Sequence, residues 1–118
     1  MILVDTSVWV AHLRQGNARL ATLLGETAVL IHPFIIGELA LGNLRQRDEI
    51  LGLLENLPTA QVATHREVLS MIDNRDLAGT GIGWIDAHLL ASALLSDVPL
   101  WTLDRRLSTV AARLELTH

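Results

Sequence analysis

Four acidic residues, Asp5, Glu38, Asp86 and Asp104, occupy positions whose sequence context suggests chemistry. Asp5 closes the apolar run Ile2 to Val4, and Asp104 follows Leu100 to Thr102 in a matching context, which places both carboxylates at the carboxyl ends of strands. Each could be an ordinary helix N-cap, a role that stabilises a helix by about 1 kcal/mol. Glu38 is harder to explain in that way. Its neighbours three and four residues away are Phe34, Ile35, Leu41 and Gly42, so a helix there carries the carboxylate on an apolar face. Burial without a partner costs several kcal/mol or forces protonation, so the position calls for a cation, a hydrogen-bond donor or a shifted pKa. Asp86 sits in a first helical turn with Gly83 as N-cap, where the helix dipole favours it, yet Ile82, Leu89 and Leu90 turn that stretch inward. Only 19% of the residues are charged, and four such placements together suit one chemistry. Magnesium and manganese take hard oxygen ligands, and a divalent cation makes a cluster of like charges tolerable.

Competing chemistries find little support. There is no cysteine, so disulfides and zinc-thiolate sites are excluded. His12, His32, His65, His88 and His118 show no i, i+4 pairing or HxH spacing. The stretch Gly79-Thr80-Gly81-Ile82-Gly83 follows a helix and lacks a P-loop lysine, so it reads as a loop that sets the entry of the next helix. All nine basic residues are arginine, which favours planar, bidentate phosphate contacts. The formal net charge of −4 argues against broad attraction to nucleic acid, so any contact with RNA must be local. Without tyrosine and with a single phenylalanine, the chain offers no platform for stacking an extended single strand, and Trp9, Trp84 and Trp101 read as core or dimer contacts.

The elements that must position these residues alternate. Ile2 to Val4 is a strand and Thr6-Ser7 opens a helix; Ala18 to Leu24 is a second helix ended by Gly25, and Ala28 to Ile31 a buried strand. Pro33 fits a first helical turn, Phe34 to Leu44 and Arg47 to Leu57 are helical, and Ala60 to Ala63 reads as a third strand. Helices at His65 to Leu77 and Trp84 to Leu95 precede a strand at Leu100 to Thr102, a helix from Arg105 to Leu114 and a short edge strand at Glu115 to Leu116. Short apolar strands separated by helices predict a parallel sheet covered on both faces, a three-layer α/β/α fold.

Its 118 residues suit a single domain, residues 1–118, with one core. Apolar residues make up 50% of the chain, a richness that suggests surface covered by a partner and makes a homodimer the expectation. No uncharged apolar stretch reaches the roughly 18 residues of a membrane span. The N-terminal Met-Ile-Leu-Val-Asp has no basic region or cleavage site of a signal peptide, and a soluble, cytoplasmic protein is expected.

The chain resembles the PIN-domain ribonucleases and, within them, the VapC-type toxins of bacterial toxin-antitoxin pairs. Four segments carry the resemblance: Met-Ile-Leu-Val-Asp5-Thr-Ser, Ile-Gly-Glu38-Leu-Ala-Leu-Gly, Asp86-Ala-His-Leu-Leu-Ala-Ser-Ala and Leu-Trp-Thr102-Leu-Asp104. It implies a sheet of four to five parallel strands in order 3-2-1-4-5, whose switch point lies where Asp5 and Asp104 were placed. It further implies a Mg2+ or Mn2+ endoribonuclease with Asp5, Glu38, Asp86 and Asp104 as catalytic and metal-binding residues, leaving a 5′-phosphate and a 3′-hydroxyl. Thr6, Thr102, Arg14, Arg105 and Arg106 become candidates for substrate contact. A structured RNA such as tRNA or rRNA is the implied substrate, and an antitoxin laying an amphipathic helix across the N-terminal helices the implied partner. Two departures stand out. Arg105-Arg106-Leu107 replaces the additional acidic residue many relatives carry after Asp104, which narrows the claim to at least one metal, and the short C-terminus leaves the fifth strand rudimentary or absent. Other readings are an RNA-processing PIN nuclease, a silent interaction module, and a receiver domain, the last disfavoured by the missing lysine.

Overall fold

A computed structural model describes all 118 residues. Its element order is β1 (Ile2–Val4), α1 (Thr6–Gln15), α2 (Ala18–Gly25), β2 (Val29–Leu30), α3 (Pro33–Ala40), α4 (Arg47–Glu55), α5 (His65–Asn74), α6 (Trp84–Ser96), β3 (Leu100–Trp101) and α7 (Arg105–Arg113). The three strands are parallel in the order β2-β1-β3, with Leu3 opposite both Leu30 and Leu100. All three residues of β1 are buried, although successive side chains point to opposite faces, so the sheet is covered on both sides. Helices supply that cover: α1 packs on α3, α3 on α4, and α5 on α6.

The expected order 3-2-1-4-5 is present with its two outer strands reduced to single parallel bridges, Ile31 with Thr59 beside β2 and Leu100 with Thr117 beside β3. The expected third strand at Ala60 to Ala63 does not form, for a local reason. Ala60 still donates to the Ile31 carbonyl (2.8 Å), but the Gln61 N–H turns to the Ser96 hydroxyl (2.8 Å) and the Thr64 N–H to the Glu67 carboxylate (2.8 Å). The next rung on β2's side would fall beyond Ile31, where the partner chain has already turned into α3 at Pro33, and the ladder ends. The fifth strand is likewise one rung, held by Leu100 N–H on the Leu116 carbonyl (2.8 Å).

The third helix stops at Ala40, short of the expected Leu44. The Arg47 guanidinium reaches back to the carbonyls of Ala40 and Gly42, satisfying backbone acceptors that a longer helix would have used. The core is one cluster of 29 buried apolar residues. No helix is long and apolar enough to cross a membrane.

Candidate active site

β1 and β3 are neighbours, and the chain leaves both at the same edge of the sheet, the switch point where folds of this class place a crevice. Asp5, 5% exposed, follows β1 and caps α1. Its backbone N–H donates to the Trp101 carbonyl (2.9 Å), which ties its position to β3. Its Oδ2 accepts from Thr102 Oγ1 (2.7 Å), from Ser7 Oγ (2.8 Å) and, at 3.4 Å, from Ser7 N–H. The Thr102 hydroxyl also accepts from the Asp104 N–H (3.0 Å), so one side chain joins the ends of both strands. Asp104 caps α7 by accepting from Leu107 N–H (2.9 Å), and its side chain is exposed.

Glu38 enters from α3 and accepts from Thr6 Oγ1 (2.7 Å), so the hydrogen-bond donor its apolar setting required is a hydroxyl at the start of α1. Asp86 enters from the first turn of α6, its Oδ2 accepting from Gly83 N–H (3.3 Å). Burial raises the proton affinity of Asp86 above the ordinary carboxylate range, the Gly83 hydrogen bond opposes this, and Asp5, Asp104 and Glu38 each raise it further. Asp86 is thus close enough to all three other carboxylates to feel their charge. No three acidic or histidine side chains converge tightly enough to cage an ion by themselves. Asp5 and Glu38 are held by hydroxyls and Asp86 and Asp104 by backbone N–H groups, which keeps the four carboxylates around a gap.

The residues singled out for substrate contact separate. Thr6 and Thr102 are engaged with carboxylates. Arg14 lines a groove of about 550 Å³ that also contains Glu38. Arg106 packs over the glycine-rich loop, its Nη1 lying 3.1 Å from where a Cβ on Gly81 would be. Arg105 is exposed in the first turn of α7. Ser7 was missed: its hydroxyl bonds Asp5, lies 3.3 Å from Thr102 Oγ1 and accepts from Leu103 N–H (2.9 Å). The Asp-Thr-Ser run after an apolar strand was its only signal, indistinguishable from helix-start chemistry.

Residues 2–113 match the PIN domain family. The chain belongs to the PIN-domain family. It is 52% identical over 113 residues to the Mycobacterium tuberculosis protein ribonuclease VapC32, in strains CDC 1551 / Oshkosh and H37Rv, a match covering 95% of this chain and 91% of each relative. With the family shown, the reduced outer strands are a local variation on the PIN sheet.

Proposed function

We propose that this PIN protein is a cytoplasmic, divalent-metal-dependent endoribonuclease acting as the toxin of a toxin-antitoxin pair, with Asp5, Glu38, Asp86 and Asp104 as its reaction centre. The observation that carries this reading is the charge coupling of Asp86 on α6 to Asp5 after β1, Glu38 on α3 and Asp104 before α7, which adds to burial in raising the proton affinity of Asp86. A half-buried aspartate surrounded by three like charges is destabilised, and a divalent cation is the ordinary remedy. The donor set fits Mg2+ or Mn2+: all hard oxygens, spread widely enough for an ion that keeps several of its own waters. Such an ion would lower the pKa of a bound water and screen charge developing on phosphorus.

The chain's own groups divide the remaining tasks. All three protein hydrogen bonds to the Asp5 carboxylate go to Oδ2, which leaves Oδ1 to serve as a ligand. Thr6 holds Glu38 in one rotamer, so that its carboxylate can orient the attacking water or receive its proton. Asp104 and Asp86 complete the ligand set. Arg106, Arg105 and Arg14 supply local cationic contacts for a structured RNA, in a protein whose net charge gives no general attraction. For the antitoxin, the groove beside Glu38 has an apolar floor of Val10, Leu13, Leu39 and Ile50 and a rim carrying Arg14 and Arg45. An amphipathic helix fits there, with a basic residue reaching Glu38. Exposed Leu69 and Leu95 on the paired helices α5 and α6 offer surface for a second copy.

The test is incubation of purified protein with total cellular RNA in EDTA, Mg2+ or Mn2+, alongside Asp5→Asn and Asp86→Asn. Cleavage only with metal, lost in both variants and leaving 5′-phosphate ends, is expected. Cleavage indifferent to metal and to both substitutions would sink the reading. Growth arrest on expression, relieved by either substitution, tests the toxin role.

A further inference from the structure

Sequence composition left no place for base stacking, yet the structure gathers aromatic and imidazole rings beside the acidic centre. Phe34 in the first turn of α3 and Trp84 at the start of α6 are 37% and 42% exposed, in a chain whose other tryptophans are buried or half-buried. His88 stands between them, its ring centroid 4.8 Å from Phe34 and 4.7 Å from Trp84, with an 87° angle to the indole. His65 at the start of α5 flanks the indole on another side at 5.2 Å. Beneath them His32, fully buried, lies edge-on to Phe34 at 5.0 Å, and its Nδ1 accepts from the Phe34 N–H (3.0 Å). Edge-to-face contacts of this kind hold rings in defined orientations. Burial, with His88 adding to it, holds His32 down to about 4, so this imidazole is a neutral ring at physiological pH.

The cluster shares its helices with two of the four carboxylates. Phe34 is one helical turn from Glu38 on α3, and Trp84 shares the first turn of α6 with Asp86. Trp84 and Asp86 project to different sides of that turn, so a strand whose phosphate lies at the carboxylates and whose base reaches the indole would drape across the end of α6. The positive end of the helix dipole favours phosphate there. The exposed side chains Leu69 and Leu95 lie on the same helix faces as the rings, Leu69 one turn from His65 on α5 and Leu95 two turns from His88 on α6, so the surface offered to a second copy runs on from the cluster.

We propose that the open face of Trp84, propped by His88 and flanked by Phe34 and His65, is a nucleobase subsite that holds one unpaired RNA base next to the scissile phosphodiester. The subsite rests on the ribonuclease reading and adds to it. It accepts a single base from a loop, consistent with a structured substrate, and stacking makes it tolerant of base identity.

Binding in EDTA separates the subsite from catalysis. The probe is a 5′-labelled oligoadenylate of about 12 nucleotides, within the range such grooves contact. Titration should quench tryptophan fluorescence of the wild type. Trp84→Phe should abolish the quench while keeping affinity within about two-fold, and Trp84→Leu should weaken binding about five-fold or more. Phe34→Leu gives a second, independent reduction, and thermal melts confirm that each variant is folded. Unchanged affinity in Trp84→Leu overturns the proposal, as does a quench that survives Trp84→Phe. Unchanged RNA affinity with a halved mass by light scattering assigns the cluster to a subunit contact and overturns it equally. A wild type that binds no RNA and cleaves none removes the ribonuclease reading itself, whereas cleavage that persists with no effect of Trp84 removes the subsite alone.

Discussion

Replacing Asp5 and Asp86 in turn by asparagine should have opposite effects on metal-free protein, although both are carboxylates of one cluster. At Asp5, asparagine keeps an acceptor oxygen but turns two charge-assisted bonds, from Thr102 Oγ1 at 2.7 Å and Ser7 Oγ at 2.8 Å, into neutral ones. Bonds to charged groups contribute about 1.5–3 kcal/mol and neutral ones about 0.5–1.5, so the loss is about 1 kcal/mol per bond. Relief of repulsion toward Asp86 offsets part of this, leaving a net cost of about 1–2 kcal/mol. For 118 residues the unfolding entropy is about 0.25 kcal/mol per degree, so Tm should fall by about 4–8 °C. At Asp86 the amide oxygen keeps the Gly83 contact, the helix-dipole term of about 0.3–1 kcal/mol is lost, and the burial and like-charge costs vanish. Tm in EDTA at pH 7 should therefore hold or rise.

The pH dependence checks the cause. Because the folded-state pKa of Asp86 lies above its unfolded value, the wild type has its full share of stability when Asp86 is protonated and loses it as pH rises through the folded pKa. Any advantage of Asp86→Asn should accordingly disappear as pH falls from 7 toward the ordinary carboxylate range. Magnesium at about 100 times its Kd should raise wild-type stability by about 2.7 kcal/mol, roughly 11 °C on the same scale, and raise neither variant as much. Differential scanning fluorimetry across pH, with EDTA and with Mg2+, makes the measurement. If Asp86→Asn falls as far as Asp5→Asn in EDTA and Mg2+ does not move the wild type, then Asp86 is a structural cap and the charge-cluster argument fails.

Gly81 has φ of +85° and faces the Arg106 guanidinium, so Gly81→Ala should cost about 1–2 kcal/mol and displace that arginine. RNA affinity should fall with it, measured by anisotropy beside a thermal melt. Thr64 and Glu67 form a reciprocal capping box at the start of α5. Thr64→Ala should lose about 1 kcal/mol, read in urea unfolding, with RNA cleavage unchanged.

Much of the architecture was legible because its signals are local. Ile2 to Val4 is apolar on every residue and could only be a strand covered on both faces, and Pro33, Gly83 and the Asp-Thr-Ser run marked helix starts at or within a residue of where they occur. The third strand is the exception, because pairing at a sheet edge depends on the neighbouring chain, whereas the fifth is the rudimentary strand expected. Ala60 to Ala63 has strand composition, but its neighbour turns into α3 two residues after Ile31, and the outward Gln61 N–H is taken by Ser96 of α6, 35 residues later. The end of α3 was set in the same way by a guanidinium from Arg47.

At the candidate site, the sequence by itself supplied the proposed groups: four carboxylates whose contexts are apolar helix faces or strand ends, with no cysteine or lysine beside them. Their grouping was decided only by the tertiary structure, since parallel pairing of β1 with β3 brings Asp5 against Thr102 across 97 residues and the packing of α3 on α1 brings Glu38 against Thr6 across 32. Tertiary packing also left Trp84 42% exposed with His88 edge-on to it, where composition had suggested core or dimer contact. A residue's chemical type is carried by the chain wherever it goes, whereas burial, charge coupling and ring orientation belong to pairs of residues and exist only once folding has made them neighbours.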